Sequence, residues 1–422
     1  MQREQRPGKA EGCGGHDSPT LAVADALAIV RERARALQQT ERVALRSALD
    51  RVLATELVAP IDVPGHDNSA MDGYALASAS LPAEGWATLT LVGTAWAGRP
   101  CEREVSPGEC VRIMTGAAIP RGCDMVVMQE QAQRDGERVR VPGPPRPGAN
   151  IRRAGEDLAA GQPALAAGTR LGPAQLGLIA SLGISECDVF RRPRVCFFST
   201  GDELREVGQP LEPGQIHDSN RYTLYGMLRH CGVEATDLGV VADDEQSLRR
   251  AFAQAAGADL IVTSGGVSVG DADHVAGVFG EQGRILFGSV ALKPGRPVVF
   301  GTFGEGLFFG LPGNPVSAMA TFYLFVRPAL RQLSGERGPE PVPSLLATCR
   351  TALSSRRGRL ELLRGRLLTV APGRYEVEPA GAQGSGRLSS MAQADCFIVI
   401  AEDQVELPAG SEVLVQPFAG FC

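Results

Sequence analysis

The lysine-bearing phosphate loop, G-x-x-x-x-G-K-[ST], occurs nowhere in this 422-residue chain, which removes the commonest sequence signature of a nucleoside triphosphatase. None of the ten cysteines forms C-x-x-C, so neither a zinc ribbon nor a dithiol redox motif is present. No apolar run approaches the roughly 20 residues of a membrane-spanning helix. The first 18 residues lack the apolar stretch of a signal peptide and read, with Pro19, as a disordered leader over 1–19. Positive charge is not in excess. A formal net charge of −6 argues against a general nucleic-acid or anionic-membrane binder.

Apolar residues make up 44% of the chain, enough for real cores, and the length suggests two to four domains at roughly 100–200 residues each. The cysteines are scattered, and several sit in apolar runs, as Cys196 does in VCFFS. Buried thiols in a reduced cytoplasm fit this best. The five histidines share no ligand spacing and read as packed or solvated side chains.

LAVADALAIVRERARAL (21–37) has helical apolar spacing, and LRSALDRVLA (45–54) continues an apolar periodicity. These belong to a helical and linker region over 20–59 and 160–192. IDVPGHDNSAMDGYAL (61–76) is loop chemistry. Short β-type runs follow, WATLTLVGTAW, CVRIM, DMVVMQEQ and ERVRV, so 60–159 reads as a small β domain. Between 193 and 338 strand-like and helical segments alternate, ending in one long helix, PVSAMATFYLFVRPALRQL. That alternation predicts an α/β domain with a mostly parallel sheet. Pro339, Pro341 and Pro343 mark a boundary, and short strands beyond it, including RLELLRGRLLTV and CFIVI, make 339–422 a C-terminal, barrel-like β domain.

In an open α/β sheet, ligands bind beyond the carboxyl ends of the strands. Four polar loops fall there. TSGGVSVGDADH (263–274) offers Ser264, Gly265, Gly266, Ser268 and Gly270, which suit backbone N–H groups converging on an anion; a tight turn capped by Asp271 or Asp273 is the plainer reading. FSTGDEL sets Thr200, Gly201, Asp202 and Glu203 at a strand end, and GVVADDE does the same with Asp243 and Asp244. GLPGNPVSA enters a helix through Pro312, Gly313, Asn314 and Pro315, with Asn314 at the capping position. Acids beside a phosphate cradle require a cation between them. Mg²⁺ prefers oxygen ligands and commonly bridges one or two carboxylates to phosphate. Downstream, KPGRP places Lys293 and Arg296 around a turn; a solvated basic turn is equally open.

Taken together, DVPGHDNSAMDGYA, VRIMTGAAIPRGCDMVVMQEQ, NIRRAGEDL, FSTGDEL, SGGVSVGDAD, KPGRP and GLPGNPVSA resemble the molybdopterin molybdenumtransferases, the MoeA/gephyrin E-domain family. The similarity spans about residues 20–418. GGVSVG and PGNP alone are shared with adenylyltransferases and CinA-like proteins; DNSAMDGYA with MTGAAIP narrows the match. The resemblance implies a homodimer that binds adenylylated molybdopterin, inserts molybdate and releases AMP with Mg²⁺ assisting, and it makes the molybdopterin adenylyltransferase a candidate partner. Carried onto this sequence, it places Asp243 and Asp273 at the metal and phosphate end with Glu203 beside them, and Pro312 and Pro315 in the pterin loop. Asp72, Thr115 and Asp157 are implied to face the partner's cleft. Lys293, Arg364 and Ser385 are implied to surround the oxyanion. Where the family commonly carries a basic residue four positions before that lysine, this chain has Ser289.

Two other functions stay open at this point: an interaction scaffold on the same fold, and a related adenylyltransferase or pyrophosphatase. Retention of Glu203, Asp243 and Asp273 favours the insertion enzyme.

Overall fold

A computed structural model describes residues 20–267, 274–338 and 344–418. Residues 42–189 form one compact unit, and the remainder of the chain forms a second.

In the 42–189 unit, a six-stranded sheet runs in the order Met125–Met128, Gly73–Leu76, Glu109–Ile113, Trp86–Ala95, Arg138–Pro142, Gln133–Asp135. Gly73–Leu76 is buried throughout because both faces of the sheet are covered. Tyr74 and Leu76 pack with Leu89 and Val139 on one side, while Ala75 packs with Val111 and Ile113 on the other. Strand alternation produces this division directly. The apolar periodicity at 45–54 yields only a single 3₁₀ turn, Leu45–Ala48. Asp50 turns to φ 62°, which ends any helix, and Val52 and Leu53 then form bridges with Arg170 and Val189.

The second unit contains the α/β sheet, in the order Glu234–Val241, Arg194–Thr200, Leu260–Ser264, Gly306–Leu311, Pro297–Phe303, Arg284–Ser289. The first four strands are parallel, and the last two are antiparallel to their neighbours. Leu260–Ser264 and Gly306–Leu311 are buried at every position, as central strands covered on both faces must be. The chain first steps from Arg194–Thr200 to one side and then to the other. That reversal opens a crevice at the strand ends. Below it, Phe252, Phe279 and Phe308 form an aromatic core, with the Phe279 and Phe308 rings 4.0 Å apart and stacked.

The expected helix at 21–37 is shorter. Val23–Arg33 is helical with Val23, Ala26 and Val30 buried, but Ala34 is extended and the Leu37 N–H donates to the Leu333 carbonyl. The long helix from Pro315 does run to Leu333, with a π turn at Phe322–Val326. Pro328 has no N–H to donate, and the widened turn precedes it, with Arg327 N–H bonding back to the Phe322 carbonyl.

The C-terminal sheet closes on itself. Leu360–Ala371 pairs with Arg374–Pro379, then Leu345–Cys349, Glu412–Pro417 and Cys396–Ile400 follow, and Cys396–Ile400 pairs back onto Leu360–Ala371. The multidomain α/β-plus-β architecture expected from the sequence, with its C-terminal barrel, is therefore present. All eight described cysteines are free, and burial pushes the Cys110 and Cys123 thiols up to about 12, so these behave as core groups rather than nucleophiles.

Candidate functional site

The crevice at the α/β strand ends is a cavity of about 720 Å³. Thr200, Gly201, Glu203, Asp243, Ser264, Gly265, Gly266, Pro312, Gly313, Asn314 and Pro315 all line it, so four loops remote in sequence converge on one space. Gly265 is required there. Its φ is +91°, and a Cβ would sit 2.2 Å from the Thr200 carbonyl oxygen. Asn314 occupies the position before helix Pro315–Thr321, but its side chain makes no capping bond and instead lines the cavity. Ser268, Gly270 and Asp273 lie outside the described residues.

The two aspartates of GVVADDE separate. Asp244 caps helix Glu245–Gln254, accepting from the Ser247 N–H at 2.9 Å and the Ser247 hydroxyl at 2.7 Å. Asp243 faces the crevice. Its Oδ1 is buried and accepts no hydrogen bond of good geometry among the described residues, although the Thr200 hydroxyl lies close enough to favour the charged carboxylate. Burial raises the Asp243 carboxyl above the ordinary carboxylate range; Asp202 and Glu203 add repulsion, while His274 and the Thr200 hydroxyl oppose it. Asp202 itself is exposed and does not line the cavity. A buried carboxylate oxygen short of hydrogen bonds, beside further acidic groups, is an environment that a divalent cation satisfies. Among the described residues no cluster of three or more His, Cys, Asp or Glu side chains forms a metal cage.

Sequence reasoning missed the stretch 216–220, where a short strand passes into the helix Asn220–His230. Asp218, Ser219 and Asn220 line the same crevice, and the Asn220 amide donates to Ser264 Oγ and to the Gly313 carbonyl. The signal was the polar trio DSN immediately before a helical segment.

A second cavity, about 530 Å³, adjoins the first, and Pro297 and Asn314 line both. Lys293, Arg296, Arg364 and Ser385 come together on its wall, from the α/β domain and from the C-terminal barrel. The loop carrying Ser385 is docked by a hydrogen bond from the Val316 N–H to the Ser385 carbonyl. Arg364 is 1% exposed and has no carboxylate hydrogen-bonded to it among the described residues. Its guanidinium donates to Ser390 Oγ and to the carbonyls of Ala382 and Gly384, and burial lowers its pKa although Glu361 lies near enough to oppose this. Arg359 and Glu361 also line this cavity and were not singled out from sequence. The signal was there: RLELLR places charges inside an apolar strand, where burial demands a reason.

In the other unit, Asp72 Oδ1 accepts both the N–H and the hydroxyl of Thr115, at 2.7 and 2.8 Å. These two bonds hold the Asp72 carboxyl below the ordinary range. Asp157 is exposed, and its carboxylate has no partner among the described residues, so no bond joins it to that pair.

Fold and cavities define a class: an α/β domain whose strand-end crevice is joined to a cationic cavity completed by a β barrel. Family models match in the same order, MoeA N-terminal region (domain I and II) over 21–183, probable molybdopterin binding domain over 196–332, and MoeA C-terminal region (domain IV) over 347–418. The chain belongs to the MoeA, or molybdopterin molybdenumtransferase, family. It is 43% identical to the molybdopterin molybdenumtransferase of Haemophilus influenzae over 90% of this chain and 94% of that one. The Nostoc sp. enzyme of the same name is 38% identical over 90% and 88%. The crystal structure of the molybdopterin biosynthesis MoeA protein from Pyrococcus horikoshii OT3 superposes with a TM-score of 0.82 at 30% identity, covering 94% of this chain and all of that one.

Proposed function

We infer that this chain is a molybdopterin molybdenumtransferase, a transferase that inserts molybdate into adenylylated molybdopterin and releases AMP. The single observation that carries the chemistry is the junction of the two cavities at Asn314 and Pro297. A crevice suited to a pterin nucleotide opens beside a cationic cavity suited to a tetrahedral dianion.

In this reading the loops at Thr200, Gly265 and Gly313 hold the pterin and phosphates. Lys293, Arg296, Arg364 and Ser385 receive the molybdate, because such a dianion needs convergent donors and positive charge. The substrate's own thiolates attack, so no enzyme nucleophile is required, and the high thiol pKa values of Cys110 and Cys123 are consistent with that. Asp243, with Asp273 and Glu203, would hold Mg²⁺. The orphaned Asp243 oxygen fits an ion that keeps waters and phosphate oxygens among its ligands rather than an all-protein cage. A bound Mg²⁺ supplies charge neutralisation at the phosphoanhydride.

The working enzyme in this reading is a cytoplasmic homodimer, with Asp72, Thr115 and Asp157 facing the partner's crevice and the molybdopterin adenylyltransferase as a delivery partner. This reading includes no nucleic-acid or membrane partner. No described helix is long and apolar enough to cross a bilayer. The deciding experiment supplies adenylylated molybdopterin and molybdate and follows AMP release together with molybdenum incorporation. Coupled appearance of both is expected. AMP release without molybdenum incorporation would instead identify a pyrophosphatase-type hydrolase, and neither product would leave a scaffold.

A further inference from the structure

The cationic cavity contains a group that anion binding does not call for. Glu361 is a carboxylate, 1% exposed, on a wall that also carries Lys293, Arg296, Arg359 and Arg364. Negative charge there opposes an incoming dianion. Its contacts explain its presence. The short strand Leu292–Lys293 pairs with the start of Leu360–Ala371 in a register that sets Lys293 beside Glu361. Glu361 Oε1 lies 2.6 Å from Lys293 Nζ. Oε2 accepts from Ser355 Oγ at 2.7 Å and lies 3.6 Å from Nη2 of Arg359. One immobile carboxylate thus tethers two longer arms, whose side chains are 48% and 28% exposed.

Both arms keep donors in hand. A lysine ammonium has three N–H groups and a guanidinium five. Arg359 Nε is buried and donates to nothing among the described residues. Arg364, by contrast, is already bonded to Ser390, Ala382 and Gly384.

We propose that Glu361 is a positioning residue that holds Lys293 and Arg359 as the two arms of one oxyanion clamp, and that Arg359 contacts the tetrahedral dianion. The proposal rests on reading this cavity as the molybdate site. Its physical content is order before binding. A free lysine loses rotamer entropy when it captures an anion; one already tied to a buried carboxylate has lost it on folding. Four cations against one carboxylate still leave the cavity with excess positive charge for a dianion.

The test uses the full chain and Glu361→Gln, Glu361→Asp and Arg359→Gln. Glu361→Gln keeps size and the Ser355 contact but removes the charge. AMP release is measured against molybdate concentration. In parallel, Lys293 reactivity is read by reductive methylation and peptide mass spectrometry, since Lys293 and Lys9 are the chain's two lysines. Expected are a molybdate KM raised about tenfold in Glu361→Gln and severalfold in Arg359→Gln, with much smaller changes in kcat. Glu361→Asp should recover part of the loss. Lys293 should methylate faster in Glu361→Gln, and molybdate should protect it in the wild type. An unchanged or lower KM in Glu361→Gln overturns the clamp, because the carboxylate then only repels. An unchanged KM in Arg359→Gln removes Arg359 from it, and this variant decides should Glu361→Gln fail to fold. Wild-type protein without molybdate-dependent AMP release would refute the function instead. The labelling arm needs no turnover and judges the Glu361 tether separately.

Discussion

Asn220 bridges two loops of the crevice, its Nδ2 donating to Ser264 Oγ and to the Gly313 carbonyl, each at 2.7 Å. The residue is 8% exposed, so water cannot readily replace either bond. The two loops it joins follow neighbouring parallel strands, Leu260–Ser264 and Gly306–Leu311, and their spacing sets the width of the cavity.

Asn220→Ala should therefore lose about 1–3 kcal/mol of stability, because Ser264 Oγ and the Gly313 carbonyl both lose their donor. The KM for the pterin nucleotide should rise more than that for molybdate, because the cationic cavity does not include Asn220. Urea denaturation and two-substrate kinetics check this. Unchanged stability would show that the backbone alone fixes the loops.

Asp243 makes a pH-dependent prediction. Burial raises its folded-state pKa above the unfolded value, so its contribution to stability is full at low pH and is lost as pH rises through the raised pKa. At neutral pH the ionised group is a liability in metal-free protein. Asp243→Asn should raise the metal-free Tm at pH 7 by about 1–2 °C, a small figure because the site is partly solvated. The difference should vanish below the ordinary carboxylate range. Mg²⁺ should raise the Tm of the wild type and not of the variant. A metal response that survives in Asp243→Asn would remove Asp243 from the ion's ligands.

Much of this was legible in the sequence because the signals were local. Gly265 and Pro312 follow apolar strands and read as turns at strand ends, Pro315 reads as the start of the next helix, and all three line the crevice. Less legible was what depends on pairing across the fold. Glu361 and Arg359 reach the cationic cavity only because Lys293 pairs in register with Glu361, a contact 68 positions away in the chain. Asp243 and Asp244 are chemically alike in sequence; a helix start claimed one and left the other to the crevice. Helix ends were also hidden. The pattern of 21–37 continues past Arg33, but the backbone turns aside there, with the Gln332 amide on the Arg31 carbonyl and the Leu37 N–H on the Leu333 carbonyl, contacts remote in sequence.

Arg364 should report anion binding as stability. Its guanidinium is buried with no carboxylate hydrogen-bonded to it among the described residues, and burial lowers its pKa, so a dianion in the cavity relieves a standing cost. Molybdate at about 100 times its Kd should stabilise the folded state by roughly 2.7 kcal/mol. Chloride at equal ionic strength should not. Arg364→Met should be less stable by about 2–4 kcal/mol, since Ala382 and Gly384 lose their donors, and its Tm should no longer respond to molybdate. A full molybdate response in Arg364→Met would place the anion elsewhere.

Ser289 and Arg296 offer a pair of variants with opposite expectations. Ser289 ends the strand Arg284–Ser289, and its hydroxyl lies 3.4 Å from that of Thr20. Thr20 and Val290 line the cationic cavity, but Ser289 does not. A lysine at 289 would have to reach in past Thr20. A cation about 5 Å from a dianion, at an effective dielectric of about 20, has several kcal/mol of raw attraction. Ordering four side-chain torsions and repulsion from the cations already present remove most of it. Arg296 is exposed, lines the cavity and has no side-chain partner among the described residues, so its guanidinium can supply charge at that side. Ser289→Lys should thus lower the molybdate requirement by no more than about twofold, whereas Arg296→Ala should raise it about three- to tenfold. Both shifts should shrink at high salt, because the residues sit at a solvated rim. Molybdate titrations of AMP release, at low and high ionic strength, separate the cases. A tenfold gain in Ser289→Lys together with an inert Arg296→Ala would mean that the serine leaves a real deficit of charge, and that the arginine does not fill it.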